Sequence, residues 1–211
     1  MNVNFEYSKT LAGEGSILLL LSIVPYAGWI LGIIGVVLLL KSMKELSNYY
    51  QDEKIYRNTL TGVKFYIIAM IAMGVAIGAL LIGIGSATGF TFKTGFTPTA
   101  AFGAGLAAFF VGLVIAFVFY ILATSHLRKT FDALAQKSGE ASFTTASKLL
   151  WWGAILTIVF VGLILIFVAW IFATIGFFAM KPQQLQAYNP PQYANTPPST
   201  QPQQGKPTEK Q

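Results

Sequence analysis

The sequence predicts an all-α integral membrane protein: a four-span helical bundle made of two helical hairpins, followed by a disordered C-terminal tail. Three observations predict it. Long apolar runs, free of charge through their bodies, alternate with short polar segments. The chain is 55% hydrophobic and only 10% charged, whereas a soluble domain carries about 25% charge, so these side chains cannot cover a water-facing surface. After Met180 the composition changes abruptly, and 7 of the 9 prolines fall in the last 31 residues. The chain divides accordingly into an N-terminal arm (1–16), a transmembrane domain (17–180) and a tail (181–211).

The first span is placed at 17–40. Ser16 to Leu40 carries no charge and would reach about 37 Å as a helix, more than the ~30 Å hydrocarbon core. No removable signal peptide is expected, because Glu6 and Glu14 flank Lys9 and the apolar run is too long. Pro25 removes a backbone donor and should kink the helix near Ser22–Tyr26. Two geometries satisfy this proline. One is a single kinked helix across the bilayer. The other is a short re-entrant arm over 11–23, followed by a helix from Pro25 to about Tyr50, which would suit an interfacial Trp29. The single kinked span is the expectation. Gly28 and Gly32 form a GxxxG step, extended by Gly35, that permits close helix approach.

Residues 41–58 are polar and basic, with Met43, Leu46 and Tyr50 recurring at helical spacing. The first helix should continue here as an amphipathic, positively charged connector on the membrane surface. The second span follows at 62–85, with Lys64 able to snorkel from its start. Gly74 and Gly78 make a second GxxxG step, beside Ala72 and Ala76. Gly83–Gly95 reads as a glycine-rich loop.

The third span, 100–124, carries the strongest packing signal. Ala100, Ala104, Ala108, Gly112 and Ala116 recur every four residues as a ridge of small side chains, widened by Ala101 and Gly105. A second basic connector follows, with Leu127, Phe131 and Leu134 at helical spacing. Gly139 is a plausible stop, and Thr144 or Thr145 a cap for the fourth span at 149–178. Leu149–Met180 is uncharged over 32 residues, about 48 Å as a helix, so it must tilt, protrude or bend. A shift of 84 residues superposes span 1 on span 3 and Lys64 on Lys148, with residue identity at chance level. In the tail, proline and glutamine cannot bury enough surface to offset ordering entropy, so disorder with polyproline II character is expected. Its PPxY match at Pro190–Tyr193 is one that such composition produces readily.

Little chemistry is visible. Cysteine is absent, which removes disulfides, thiolate catalysis and cysteine-ligated metals. His126 is the single histidine and has no ligand-spaced partner. The spans hold hydroxyls such as Ser22, Tyr26, Tyr120, Thr157 and Thr174, which bond most simply to their own helices. No enzyme, cofactor or metal site is expected. The net charge of +6 is spread beside apolar runs and points to membrane topology and not to nucleic acid. Counting Lys and Arg by segment favours the N-terminus and tail outside, with both connectors in the cytoplasm; the re-entrant alternative would move the N-terminus inside.

The stretch IVPYAGWILGIIGVVLLL followed by MKELSNYYQDEKIYRN, with FTTASKLLWWGAIL and WIFATIGFFAMK, resembles an archaeal membrane-protein family known only as domain of unknown function 996. The resemblance covers about residues 11–180. It implies an archaeal multi-span protein and carries no activity or site residues. The function expected is therefore that of a non-catalytic membrane scaffold or accessory subunit. It would act through the packing faces of Gly28, Gly32, Gly74, Gly78, Ala104, Ala108, Gly112 and Ala116. The alternative is a small solute facilitator or channel lined by the same faces, which the scarcity of intramembrane polar groups disfavours. Expected partners are the lipid bilayer of the cell membrane and other membrane proteins or a second copy of the chain.

Overall fold

The computed structural model describes residues 4–22, 24, 27–88, 97–159 and 161–182. Among them are six α-helices and no strand: α1 (Phe5–Leu21), α2 (Gly28–Tyr50), α3 (Glu53–Ala87), α4 (Pro98–Ser138), α5 (Ala141–Leu156) and α6 (Val161–Ala179). A single 3-10 turn, Thr157–Val159, leads from α5 towards α6. By length and composition α3, the Thr99–Ser138 part of α4, and α6 can each cross a membrane.

Local chemistry sets the helix ends. Asn4 caps α1 by accepting from the Tyr7 N–H, and Asp52 caps α3 by accepting from the Lys54 N–H. Thr97 caps α4 just before Pro98, a residue whose missing N–H costs nothing in a first helical turn. Gln51 closes α2 in the left-handed region at φ 52°, and Gly139 closes α4 at φ 74°, as the sequence predicts for that glycine. α5 begins at Ala141, ahead of the expected threonine caps, with Glu140 at its N-cap position and no side-chain capping bond.

The helices pair as three antiparallel hairpins, not two: α1 with α2, α3 with α4, and α5 with α6. Span 1 is therefore not one kinked helix over 17–40. α1 ends at Leu21, and α2 returns alongside it, so that Gly15 lies against Gly35 and Phe5 reaches Tyr49. The helix order is that of the alternative reading, an arm followed by a longer helix to Tyr50, with the arm starting at Phe5. Pro25 and Tyr26 lie outside the described residues, as does the side chain of Trp29.

Span 4 is likewise not one helix over 149–178. The β-branched run Thr157-Ile158-Val159 lowers helix propensity where α5 ends. Gly153 and Gly162 then let the two arms touch, and Phe143 meets Gly176 at the other end of the pair. Spans 2 and 3 are longer than expected. The supposed loop from Gly83 is helical through Ala87, and residues 89–96 lie outside the described region. The shift of 84 residues has no structural counterpart, because the order is short hairpin, long hairpin, short hairpin.

All three hairpins stand on the same end. There Phe5, Met43, Leu46, Tyr50, Ile55, Phe131, Leu134, Phe143, Phe177 and Met180 form the largest part of one buried cluster. Phe131 stacks on Phe143 with ring centroids 6.0 Å apart, and Phe177 meets both edge-on. The apolar faces of the two basic connectors are thus the ends of α2 and α4, spent on an internal core and not laid along the membrane surface. Burial pushes the Tyr50 phenol up to about 12, aided by neighbouring Tyr49, so it stays protonated and donates to Met180 Sδ.

Phe5, both inter-hairpin turns and Met180 share one end of the molecule. The tail beyond Pro182 lies outside the described residues.

The hairpin order makes a proximity that a linear four-span bundle does not require: Ser16 Oγ and Thr174 Oγ1 are 2.8 Å apart. In this naturally cysteine-free chain, the double variant Ser16→Cys/Thr174→Cys should form an intramolecular disulfide under mild oxidation, seen as a reduction-sensitive gel shift. Either single variant should not. Phe131→Ala should destabilise the base by about 3–5 kcal/mol, against within about 0.5 kcal/mol for exposed Trp152→Ala, read by unfolding in detergent.

Candidate functional site

The long hairpin is built from small residues at heptad spacing. On α3 the inward stripe is Gly62, Ala69, Ala76 and Gly83, all buried. It meets Ala101, Gly105, Gly112, Ala116 and Ala123 of α4. A Cβ on Gly105 would stand 2.8 Å from the Ala79 carbonyl oxygen, and one on Gly112 would stand 2.6 Å from Ala76 Cβ. Near the base, Gly62 lies against the Ala123 carbonyl and the Leu127 side chain. The seven-residue step keeps a stripe on one face of a slightly supercoiled pair.

This geometry sorts the predicted packing residues. Gly112 lies against Ala76 of α3, and Ala116 is buried. Ala104 and Ala108 are exposed, and Ala104 and Ala108 instead line a shallow groove of about 270 Å³ with Ala79, Ile82, Ser86 and Ala101. The cause is rotational: each four-residue step turns a helix about 40° past a full turn, so a ridge repeated strictly every four residues winds off the contact face. Gly28 and Gly32 pack, but against Ser22 at the mouth of their own hairpin. Gly74 and Gly78 have no packing partner among the described residues, since none of these lies within 4 Å of a Cβ at either. Ala72 and Ala76 of the same helix hold the contact with Gly112.

Several contacts were not expected from the sequence. Gly15 against Gly35 and Gly153 against Gly162 bring backbone against backbone across the short hairpins. Hydroxyls also bridge helices: Thr59 to Thr130 at 3.1 Å, Ser8 to the Glu45 carboxylate at 2.7 Å, and Ser147 to the Asp132 carboxylate at 2.5 Å. Ser22, Thr157 and Thr174 bond back to their own helices as expected. His126 stacks near Phe65, and its Nδ1 has no partner among the described residues. Asp132 faces Ser147 and Arg128, whose guanidinium also lies 5.4 Å from the Trp151 ring. The one signal that could have found the close contacts is the step of seven from Gly62 to Gly83, which a search for GxxxG passes over.

Charge and apolar surface divide the molecule into two slabs. Every described Lys and Arg lies towards the base. Above them the surface is apolar and open, with Ile33, Val37, Ile71, Val75, Val114, Ile158 and Ile164 all more than 55% exposed. Side chains of this kind on every hairpin suit contact with acyl chains.

The family described as Protein of unknown function (DUF996) matches residues 31–171. The chain is also similar to "Uncharacterized protein MJ1644" of Methanocaldococcus jannaschii, at 26% identity over 156 residues, covering 74% of this chain and 81% of that protein. No solved structure matches.

The two classes of glycine should separate on substitution. Gly112→Leu would drive a side chain into Ala76 and should destabilise the long hairpin by about 1–3 kcal/mol or more. Gly74→Leu meets open space, and should leave stability unchanged or raise it by up to about 1 kcal/mol through helix propensity. Thermal unfolding of both variants in the same detergent reads the difference.

Proposed function

The chain belongs to the DUF996 family, and from that premise we propose that it is a non-catalytic membrane scaffold or accessory subunit that acts through helix packing. Its insertion follows from levels along the paired helices. From Lys64 to Ala87, α3 runs 23 residues, or about 35 Å, enough to cross a ~30 Å hydrocarbon core. Glu14 stands beside Gly15, and from there α1 has only about 10 Å left before Leu21. Lys148 leaves α5 about 12 Å before Leu156. Helices packed side by side share their depth, so α2 and α6 dip no further than α1 and α5. In this reading α3 and α4 alone cross, while the outer hairpins enter one leaflet. The base, rich in Lys and Arg, then faces the cytoplasm with both termini.

The observation that carries the scaffold reading is the far half of the long hairpin. There, among the described residues, the Gly74–Gly78 face of α3 is bare among exposed Met70, Ile71, Val75 and Leu81. A small-residue face in mid-membrane admits a second helix to close contact. The tight α3/α4 seam supports this over a facilitator, because a hydrated path needs groups that replace lost hydration. Along the groove beside the seam, Ser86 is the one residue with a side-chain polar atom.

Two measurements test this. Impermeant thiol reagents should label Lys54→Cys from the cytoplasmic side only, and should fail to label Ile158→Cys from either side. Distal labelling of Ile158→Cys would mean that α5 and α6 cross. Purification in mild detergent should recover stoichiometric membrane partners or a homo-oligomer, lost in Gly78→Leu with folding intact. A monomer without partners that supports solute flux in vesicles would overturn the scaffold.

A further inference from the structure

Each hairpin ends at a different height, and this gives the embedded part of the molecule a shape. Near the base all six helices stand side by side; beyond the tips of α1/α2 and α5/α6 only α3 and α4 continue. Each helix is roughly 10 Å across. The leaflet next to the base therefore accommodates six helical cross-sections and the opposite leaflet two. The short tips are made to sit in acyl chains. Ile17, Leu21, Val24 and Ile30 are exposed at the first, and Ile155, Ile158, Val159, Leu163 and Ile164 at the second. No charged residue lies between Glu14 and Lys41 or between Lys148 and Lys181.

An inclusion wider in one leaflet than in the other strains a flat bilayer, because lipid must thin or tilt around the narrow half. The strain is relieved where the wide half lies in the expanded leaflet. That leaflet is the outer one of a curved membrane. Insertion of apolar helix surface into a single leaflet is known to make membrane binding sensitive to curvature. Here the insertion is permanent, because the α3/α4 hairpin anchors the two wedges.

We infer that the two half-depth hairpins make this protein a curvature-responsive wedge, whose partner is a lipid surface convex on the side of its charged base. The inference rests on the reading above that only α3 and α4 cross. It concerns the shape of the embedded body and needs no partner protein. A scaffold of this kind gathers on, and at high density produces, membrane that bends away from the cytoplasm-facing headgroups on their convex side.

The test uses the full chain carrying Lys54→Cys, an exposed base position, labelled with a fluorophore and reconstituted into giant vesicles. Tubes are pulled from the vesicles, and an impermeant quencher separates molecules whose base faces out from those whose base faces in. The tube-to-vesicle density ratio of base-out molecules should exceed one and rise as the tube narrows. The ratio of base-in molecules should fall below one. Ratios near one for both populations, or equal enrichment of both, would overturn the wedge. The depth of a label at Ile158→Cys, measured with lipids quenching at defined depths, separates the two failures. A mid-bilayer label with flat ratios overturns the wedge alone, and a label at the distal headgroups overturns the crossing number and the wedge together.

Discussion

Two helices gain nothing in hydrocarbon by hiding leucine from lipid, so a hairpin there depends on dispersion contact between backbones that are allowed to touch. That contact is what the glycines of this chain provide. Gly15 against Gly35, Gly83 against Gly105, and Gly153 against Gly162 each place one backbone on another. One such approach occurs in every hairpin. Without it the helices of a pair separate by the width of a side chain, and the contacts that hold them are lost along their whole length.

The base is held by a different force. Phe131, Phe143 and Phe177 with Met43, Leu46 and Met180 form a core like that of a soluble domain, flanked by the lysines and arginines of α2, α3, α4 and α5. Beside water, burying these rings contributes the ordinary hydrophobic stabilisation of about 25 cal/mol per Å². The division explains why hydroxyl pairs are found where they are. Thr59 with Thr130 and Ser16 with Thr174 lie between helices that must be fixed in register, and an unpaired hydroxyl there would carry a desolvation cost.

Helix content, the path of α2 through Tyr50 and the stop at Gly139 were all legible in the sequence, since each depends on local spacing or composition. The folding-back of the outer segments was legible only in part: Pro25 and Trp29 offered it as the alternative for the first, and nothing offered a hairpin for the second. Ser16–Leu40 and Leu149–Met180 are uncharged and long enough to span, and length is the whole of a hydropathy signal. What turns them is a pairing between residues such as Gly153 and Gly162, whose approach no window average records. The packing face of α3 was missed for a related reason. GxxxG picks out Gly74 and Gly78, but the contact runs through Gly62, Ala69, Ala76 and Gly83, where the step is seven and two members are alanine. The four-residue ridge of α4 failed at Ala104 and Ala108 because periodicity of four and periodicity of 3.6 part company after one or two steps.

Topology then follows from pairing and not from counting runs. A helix that turns back on its neighbour has the same depth as that neighbour, so the shorter uncharged stretch of the two sets the depth of both. α6 has 19 apolar residues, and standing alone it would cross. In the proposed topology it is instead held, joined to α5, to the depth α5 can reach, because Lys148 lies eight residues from the end of α5. The same logic ties α2 to α1 through Glu14. In the proposed topology, the position of one charge on the weaker arm of a hairpin sets the membrane depth of both arms.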